Sequence, residues 1–147
     1  MESIDYQEKF WRNPKNLKRD YSDCRFGQIH YRIVSNNDSS KRPLICFHLS
    51  PNSSRVYNPI ISKLGEQRTC IAADTPGFGE SDSPISPPNI QDYAASMGEL
   101  VDNLNFKEID VMGYHTGSKI ALTLALQRPK QIKKIILISA PVYSDEE

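Results

Sequence analysis

Apolar and polar positions alternate in a short segment near the start of the sequence. Between residues 28 and 34, apolar side chains alternate with more polar ones, and His30 lies on the more polar face. A period of two predicts a half-buried antiparallel strand, which would leave His30 at the surface or rim of the fold, away from any catalytic role. Gly27 marks the turn from a preceding strand near residues 21–25.

The strands further along the chain are expected to be buried on both faces. Short and mostly continuous apolar runs are typical of parallel strands covered on either side, and they occur at residues 43–47, 70–73, 109–112 and 135–138. Helical spacing of apolar residues separates them, in a first segment around residues 56–64, a second at 93–104 with Asn89 as its N-cap, and a third at 120–126. The third segment is apolar nearly all round, so we expect a buried helix.

This order of elements predicts the fold class. Two antiparallel strands followed by alternating strands and helices indicate an α/β fold, a three-layer α/β/α arrangement with a mixed, mostly parallel sheet of about six strands. The 147 residues suffice for one such domain, spanning residues 1–147.

Composition narrows the function. The chain has 18 Lys and Arg against 18 Asp and Glu, and this zero net charge argues against a nucleic-acid binder. No stretch has the length and apolarity of a membrane span, and the N-terminus lacks the apolar core of a signal peptide. Three widely spaced cysteines, at positions 24, 46 and 70, favour buried thiols in a reducing, cytoplasmic location without a metal site.

The turns that follow the parallel strands carry the candidate chemistry, because ligands of such sheets bind at the carboxyl ends of the strands. The third parallel strand runs into Gly113-Tyr114-His115-Thr116-Gly117 and then into a helix. A nucleophile elbow requires small residues two positions before and after its central residue, and the two glycines meet that requirement. The central residue, however, is His115, where Ser, Cys or Asp is expected.

Two other turns support the same frame. Residues 74–82 read Asp-Thr-Pro-Gly-Phe-Gly-Glu-Ser-Asp, and residues 48–54 read His-Leu-Ser-Pro-Asn-Ser-Ser. Taken in order, the three turns resemble those of the α/β-hydrolase superfamily, with its HGxP-type turn, its D-x-P-G-x-G-x-S-D motif and its elbow. The second motif matches in full, the elbow matches only in its glycines, and Leu49 stands where the family usually has Gly.

The resemblance implies roles for individual residues. It implies hydrolysis of esters or similar small carbonyl or C–X substrates without a cofactor, with oxyanion donors in the backbone N–H groups of Ser50 and Thr116. The pocket would form around Leu49, Ser50, His115 and Thr116. Supporting roles would fall to His48, Asp74, Gly77 and Gly79.

Departures from the family pattern limit this expectation. The family places its acid and catalytic His after the elbow, whereas only residues 139–147 follow the last strand, so we expect a domain without the C-terminal strands and lid. His115 could act as a nucleophile, as a general base, or as a polar residue of an elbow that has lost covalent catalysis. The last interpretation is favoured, and it predicts an ancestral hydrolase with weak or no classical hydrolysis.

Two alternatives come from other classes of protein. The same scaffold could serve as a non-catalytic ligand- or partner-binding module, with self-association through the apolar edge of residues 135–138. Nucleotide binding is disfavoured, because residues 113–119 lack the spacing of a P-loop and the glycine pair at 77 and 79 lacks the third glycine of a Rossmann motif.

Overall fold

A computed structural model of the chain describes residues 12–142. Three strands come first, and helices alternate with strands from the third strand onward. The strands are β1 (Lys18–Cys24), β2 (Gly27–Val34), β3 (Leu44–Phe47), β4 (Cys70–Ala73), β5 (Ile109–Tyr114) and β6 (Ile132–Ile138). A 3-10 turn (Ser54–Tyr57) leads into α1 (Asn58–Gly65), and the longer helices are α2 (Ile90–Asn103) and α3 (Thr116–Gln127).

The strands form one mixed sheet in the order β1-β2-β4-β3-β5-β6. β2 pairs antiparallel with both β1 and β4, and all other pairs are parallel. One apolar cluster joins α2 and α3 to one face of the sheet, and a second joins α1 to the opposite face. The predicted three-layer α/β fold is therefore confirmed. So is the cap of α2, where the Asn89 side chain accepts a hydrogen bond of 2.9 Å from the Asp92 N–H.

The expected position of His30 at the surface is wrong. β2 lies inside the sheet, and both of its faces are covered along most of its length. The side chains of His30 and Arg32 are accordingly buried, at 0% and 1% exposure. Polar alternation marks a solvent-facing strand only where nothing packs on the polar face. Here the turn after β4 packs on that face and supplies Asp74 as a partner for His30.

The expectation of a fully buried third helix is also wrong. Leu122 and Leu126 of α3 are 45% and 77% exposed. The neighbouring strand β6 pairs with β5 alone among residues 12–142, and its residues 135–138 are all more than a third exposed. The apolar sequence of these two elements therefore leaves an open face at one edge of the described sheet. Within the same residues, no helix is long and apolar enough to cross a bilayer.

Candidate functional site

A tight turn joins β5 to α3 and has an unusual backbone conformation at its centre. His115 has φ 51° and ψ −113° and is exposed. Non-glycine residues rarely adopt this conformation, which is held only where surrounding structure enforces it. The surroundings do so here, because the His115 N–H donates to the Ile138 carbonyl at 2.8 Å and its own carbonyl accepts the Ser118 N–H at 2.9 Å. The turn presents the imidazole outward.

The two glycines of this turn are required by close backbone approach. A Cβ atom on Gly113 would overlap the carbonyl group of Gly117. One on Gly117 would overlap the Phe47 carbonyl oxygen and lie 2.8 Å from that of His48. Both neighbours are main-chain atoms, so no side-chain rotation relieves the overlap. The spacing of the two glycines in the sequence therefore has a steric reason. The absence of side chains at these positions lets the start of α3 lie against the end of β3.

The turn after β3 reaches the same place. The Ser50 N–H donates a hydrogen bond of 2.6 Å to the side-chain oxygen Oγ1 of Thr116. Ser50 is exposed and Leu49 half-buried. The structure thus brings Ser50 and Thr116 together, with Leu49 and His115 as their immediate chain neighbours. It differs from the expectation in one respect, because the Ser50 N–H is directed at a hydroxyl oxygen of the protein itself.

His48 links the turns after β3 and β4. It is buried, its Nε2 accepts a hydrogen bond of 3.0 Å from the Thr75 N–H, and its Nδ1 lies 2.8 Å from the Leu49 carbonyl oxygen. Since Nε2 accepts, the proton of the neutral ring is on Nδ1, which donates to Leu49. Burial lowers the pKa of His48 and favours this neutral form. Both nitrogens are occupied by the framework, which supports a structural role.

Asp74 organises the turn of residues 74–82. Its carboxylate accepts hydrogen bonds from the backbone N–H groups of Ser54 and Glu80, at 2.6 and 2.9 Å, and from His30 Nδ1 at 2.8 Å. Burial alone would raise the pKa of Asp74, but these hydrogen bonds lower it to about 2. A Cβ atom on Gly79 would overlap this carboxylate, and Gly77 has φ 87°. Both glycines therefore serve the geometry of the turn.

Sequence reasoning missed the side chains that complete this network. Arg32 Nε donates to Ser54 Oγ at 3.1 Å, so two residues of β2 hold the turns that follow β3 and β4. His30 Nε2 has no hydrogen-bond partner among the described residues and lies 3.9 Å from Glu80 Oε2. The available signal was Asp74 itself, because a buried carboxylate in a tight turn requires partners.

Metal ligation has no counterpart in the described part of the chain. Residues 12–142 contain no group of three or more His, Cys, Asp or Glu side chains placed to hold a metal ion. Cys46 and Cys70 are free thiols buried in the sheet, and Cys24 is a partly buried one.

Comparisons with known proteins place these features in context. Residues 42–147 match the family described as "alpha/beta hydrolase fold". Haloalkane dehalogenase 2 of Mycobacterium tuberculosis is 30% identical over 116 residues, which are 78% of this chain and 39% of that protein. The soluble epoxide hydrolase of Corynebacterium sp. is 28% identical over 108 residues, or 74% of this chain and 38% of that protein.

Among solved structures, the fold is similar to that of an epoxide hydrolase from an endophytic Streptomyces. The TM-score is 0.81 at 23% identity, covering 88% of this chain and 39% of the other. The chain therefore spans well under half the length of each of these proteins.

Proposed function

The chain belongs to the α/β-hydrolase fold family, and we propose that it carries one side of an ancestral small-molecule hydrolase site in which covalent chemistry has been lost. The site would bind the oxygen of a small carbonyl or carboxylate compound at the turn of residues 113–117. Classical hydrolysis would be weak or absent. The relatives named as a haloalkane dehalogenase and an epoxide hydrolase support a small-molecule ligand.

The single observation that carries this proposal is the setting of His115. Its backbone has the strained geometry and close glycine contacts that an exposed elbow residue needs. An imidazole could act as nucleophile or base only if a partner oriented its other nitrogen. Among residues 12–142, the His115 ring has no such hydrogen bond or ion pair. Among these residues, the backbone geometry expected of an elbow is thus found without a side chain that would activate its central residue.

Ester turnover tests this proposal directly. We expect the purified chain to hydrolyse p-nitrophenyl acetate no faster than an equal concentration of free imidazole, and His115→Ala to leave the rate unchanged. Lys63→Ala, an exposed change in α1, is the control. His30 is unsuitable for that purpose because it is buried on Asp74. Robust turnover that His115→Ala abolishes and Lys63→Ala preserves would overturn the loss of catalysis.

A partner-binding role is the second candidate, and the open apolar face of α3 and β6 favours it. Leu126 of α3 and residues 135–138 of β6 expose apolar surface. The outer edge of β6 is unpaired within the described residues. Such an edge promotes pairing with another chain. We expect concentration-dependent dimers in light scattering, weakened by Ile136→Lys and unaffected by Ile85→Lys, which changes an exposed loop residue. A wild-type monomer at all concentrations would contradict self-association.

A further inference from the structure

His30 has a buried ring nitrogen without a hydrogen-bond partner. Its side chain is 0% exposed, and its Nδ1 lies 2.8 Å from Asp74 Oδ2. The hydrogen bonds of Asp74 lower its pKa to about 2, so the carboxylate accepts and Nδ1 carries the proton. The other nitrogen of the neutral ring, Nε2, is then an acceptor, and no described residue donates to it. A buried acceptor of this kind costs free energy until a donor reaches it.

This acceptor belongs to a surface cleft outside the turn of residues 113–117. The cleft has a volume of about 510 Å³, far more than the roughly 30 Å³ of one water molecule. Its lining residues are Lys18, Arg19, Tyr21, His30 and Glu80. The nearest of these to Nε2 is the Glu80 carboxylate, but its Oε2 atom lies 3.9 Å away and is itself an acceptor. The missing donor must therefore come from a molecule in the cleft.

Tyr21 and Glu80 cover the unpartnered nitrogen. The Tyr21 ring lies against the His30 ring, with centroids 5.2 Å apart, and its hydroxyl donates to Glu80 Oε2 over 3.3 Å. Tyr21 is 46% exposed and the Glu80 side chain 40%. Exposed side chains change rotamer rapidly, and one long hydrogen bond is readily exchanged for bonds to water. Rotation of these two side chains would open the cleft to Nε2 without any movement of the strands.

Cations outnumber the available anions around the cleft. Lys18 and Arg19 line it, and Arg55 lies 3.8 Å from Glu80 Oε1. Arg19 is 4.0 Å from the same oxygen. Asp74, the other carboxylate nearby, is buried among its own backbone donors. Because ion pairs between exposed groups contribute little, an external anion can replace Glu80 beside the arginines, whereas a cationic ligand would be repelled.

We propose that this cleft binds a small anion that carries a hydroxyl group, such as a 2-hydroxycarboxylate. The ligand hydroxyl donates to His30 Nε2, and its carboxylate pairs with Arg19 in place of Glu80. The unpartnered acceptor selects the hydroxyl, and the excess of cations selects the anionic group. The cleft shares no residue with the turn of residues 113–117, so its ligand is independent of the proposed function.

Glycolate and acetate are a matched pair of probes, because they differ only in the hydroxyl. ¹⁵N NMR of the His30 imidazole at neutral pH reports on Nε2 directly, and titration gives the dissociation constant. We expect glycolate to shift the Nε2 resonance and to bind about fivefold or more tightly than acetate, as for one hydrogen bond. Equal affinities, or an Nε2 resonance that glycolate leaves unchanged, would overturn the proposal and leave a water molecule as the partner of Nε2.

Substitutions of exposed residues test the charge and the cover separately. Arg19→Gln should weaken glycolate binding about threefold or more. Lys107→Gln, which removes an exposed cation outside the cleft, should change it less than about twofold. Glu80→Ala should tighten binding, because it removes the competing carboxylate. Weaker binding by Glu80→Ala, or equal effects of Arg19→Gln and Lys107→Gln, would contradict binding in this cleft.

Discussion

Gly117→Ala tests whether close backbone packing fixes the turn between β5 and α3. In an ordinary helix interior, replacing Gly by Ala stabilises by up to about 1 kcal/mol. Gly117 should show the opposite sign. Its added methyl group would overlap the Phe47 carbonyl oxygen and lie 2.6 Å from the Phe47 carbonyl carbon. These are main-chain atoms of β3, so α3 and the strand would have to separate.

The magnitude follows from the cost of overpacking. Forcing a methyl group into a filled site costs about 1–3 kcal/mol, which exceeds the helix-propensity gain, so we expect a net destabilisation of about 1–2 kcal/mol. Gly98→Ala in α2 is the matched control. Its methyl group would lie 2.5 Å from Arg128 Nε and 2.8 Å from Cζ. These atoms belong to a side chain, which can move away at the cost of its partly exposed ion pair with Asp102. We therefore expect its unfolding free energy to stay within about 1 kcal/mol of wild type.

Urea unfolding followed by far-UV circular dichroism measures both variants on the same scale. At constant m-value, the midpoint of Gly117→Ala should fall clearly below that of Gly98→Ala. The Ser50 amide should also exchange faster in Gly117→Ala, because the displaced helix draws Thr116 away. Equal midpoints for the two variants would refute the steric argument for the turn.

Three further predictions concern buried ionic groups. The pKa of Asp74 is about 2 in the folded chain against about 3.9 in an unfolded one. The charged carboxylate therefore stabilises the fold by about 2 kcal/mol above about pH 5, and this contribution is lost as the pH falls towards 2. Unfolding free energy should accordingly depend less on pH for Asp74→Asn between these limits, and parallel curves would contradict the assignment. His30→Gln should lower the unfolding free energy by about 1–3 kcal/mol at pH 7 because Asp74 loses a charged hydrogen bond; a urea midpoint equal to that of wild type would exclude this. Asp110→Asn should lower the unfolding free energy by about 1–3 kcal/mol, because it replaces a buried carboxylate that pairs with two arginines at 2.9 Å. Asp102→Asn changes an exposed carboxylate and should cost under about 1 kcal/mol. Equal losses of unfolding free energy in urea would be inconsistent with the effect of burial.

The sequence predicts most of the fold because local patterns of apolar and polar residues indicate its strands and helices. Continuous apolar runs identify the parallel strands, and Asn89 identifies the start of α2. The position of His30 cannot be read in this way, because its burial depends on a turn more than forty residues away that packs on β2. The exposure of Leu126 likewise depends on which elements pack against α3, and the local sequence pattern does not predict them.

The candidate site likewise combines features that the local sequence predicts with contacts that depend on the assembled fold. The glycine spacing around His115 predicts the tight turn, because that requirement is steric and local. The hydrogen bond from Ser50 to Thr116 joins residues 66 positions apart, and it depends on how closely the end of β3 approaches α3. Sequence reasoning assigned Thr116 a role through its N–H and gave no role to its hydroxyl, because only the assembled turns show what that hydroxyl contacts.

The central claim is that His115 alone among the three histidines is exposed at a ligand site, while His30 and His48 are buried. Diethyl pyrocarbonate acylates accessible imidazoles, and peptide mass spectrometry reports each histidine separately. The account predicts rapid modification of His115, slowed by the carboxylate benzoate, with His30 and His48 modified far more slowly, since their exposure is 0% and 1%. Modification of His30 or His48 as fast as His115 in the folded chain would contradict it.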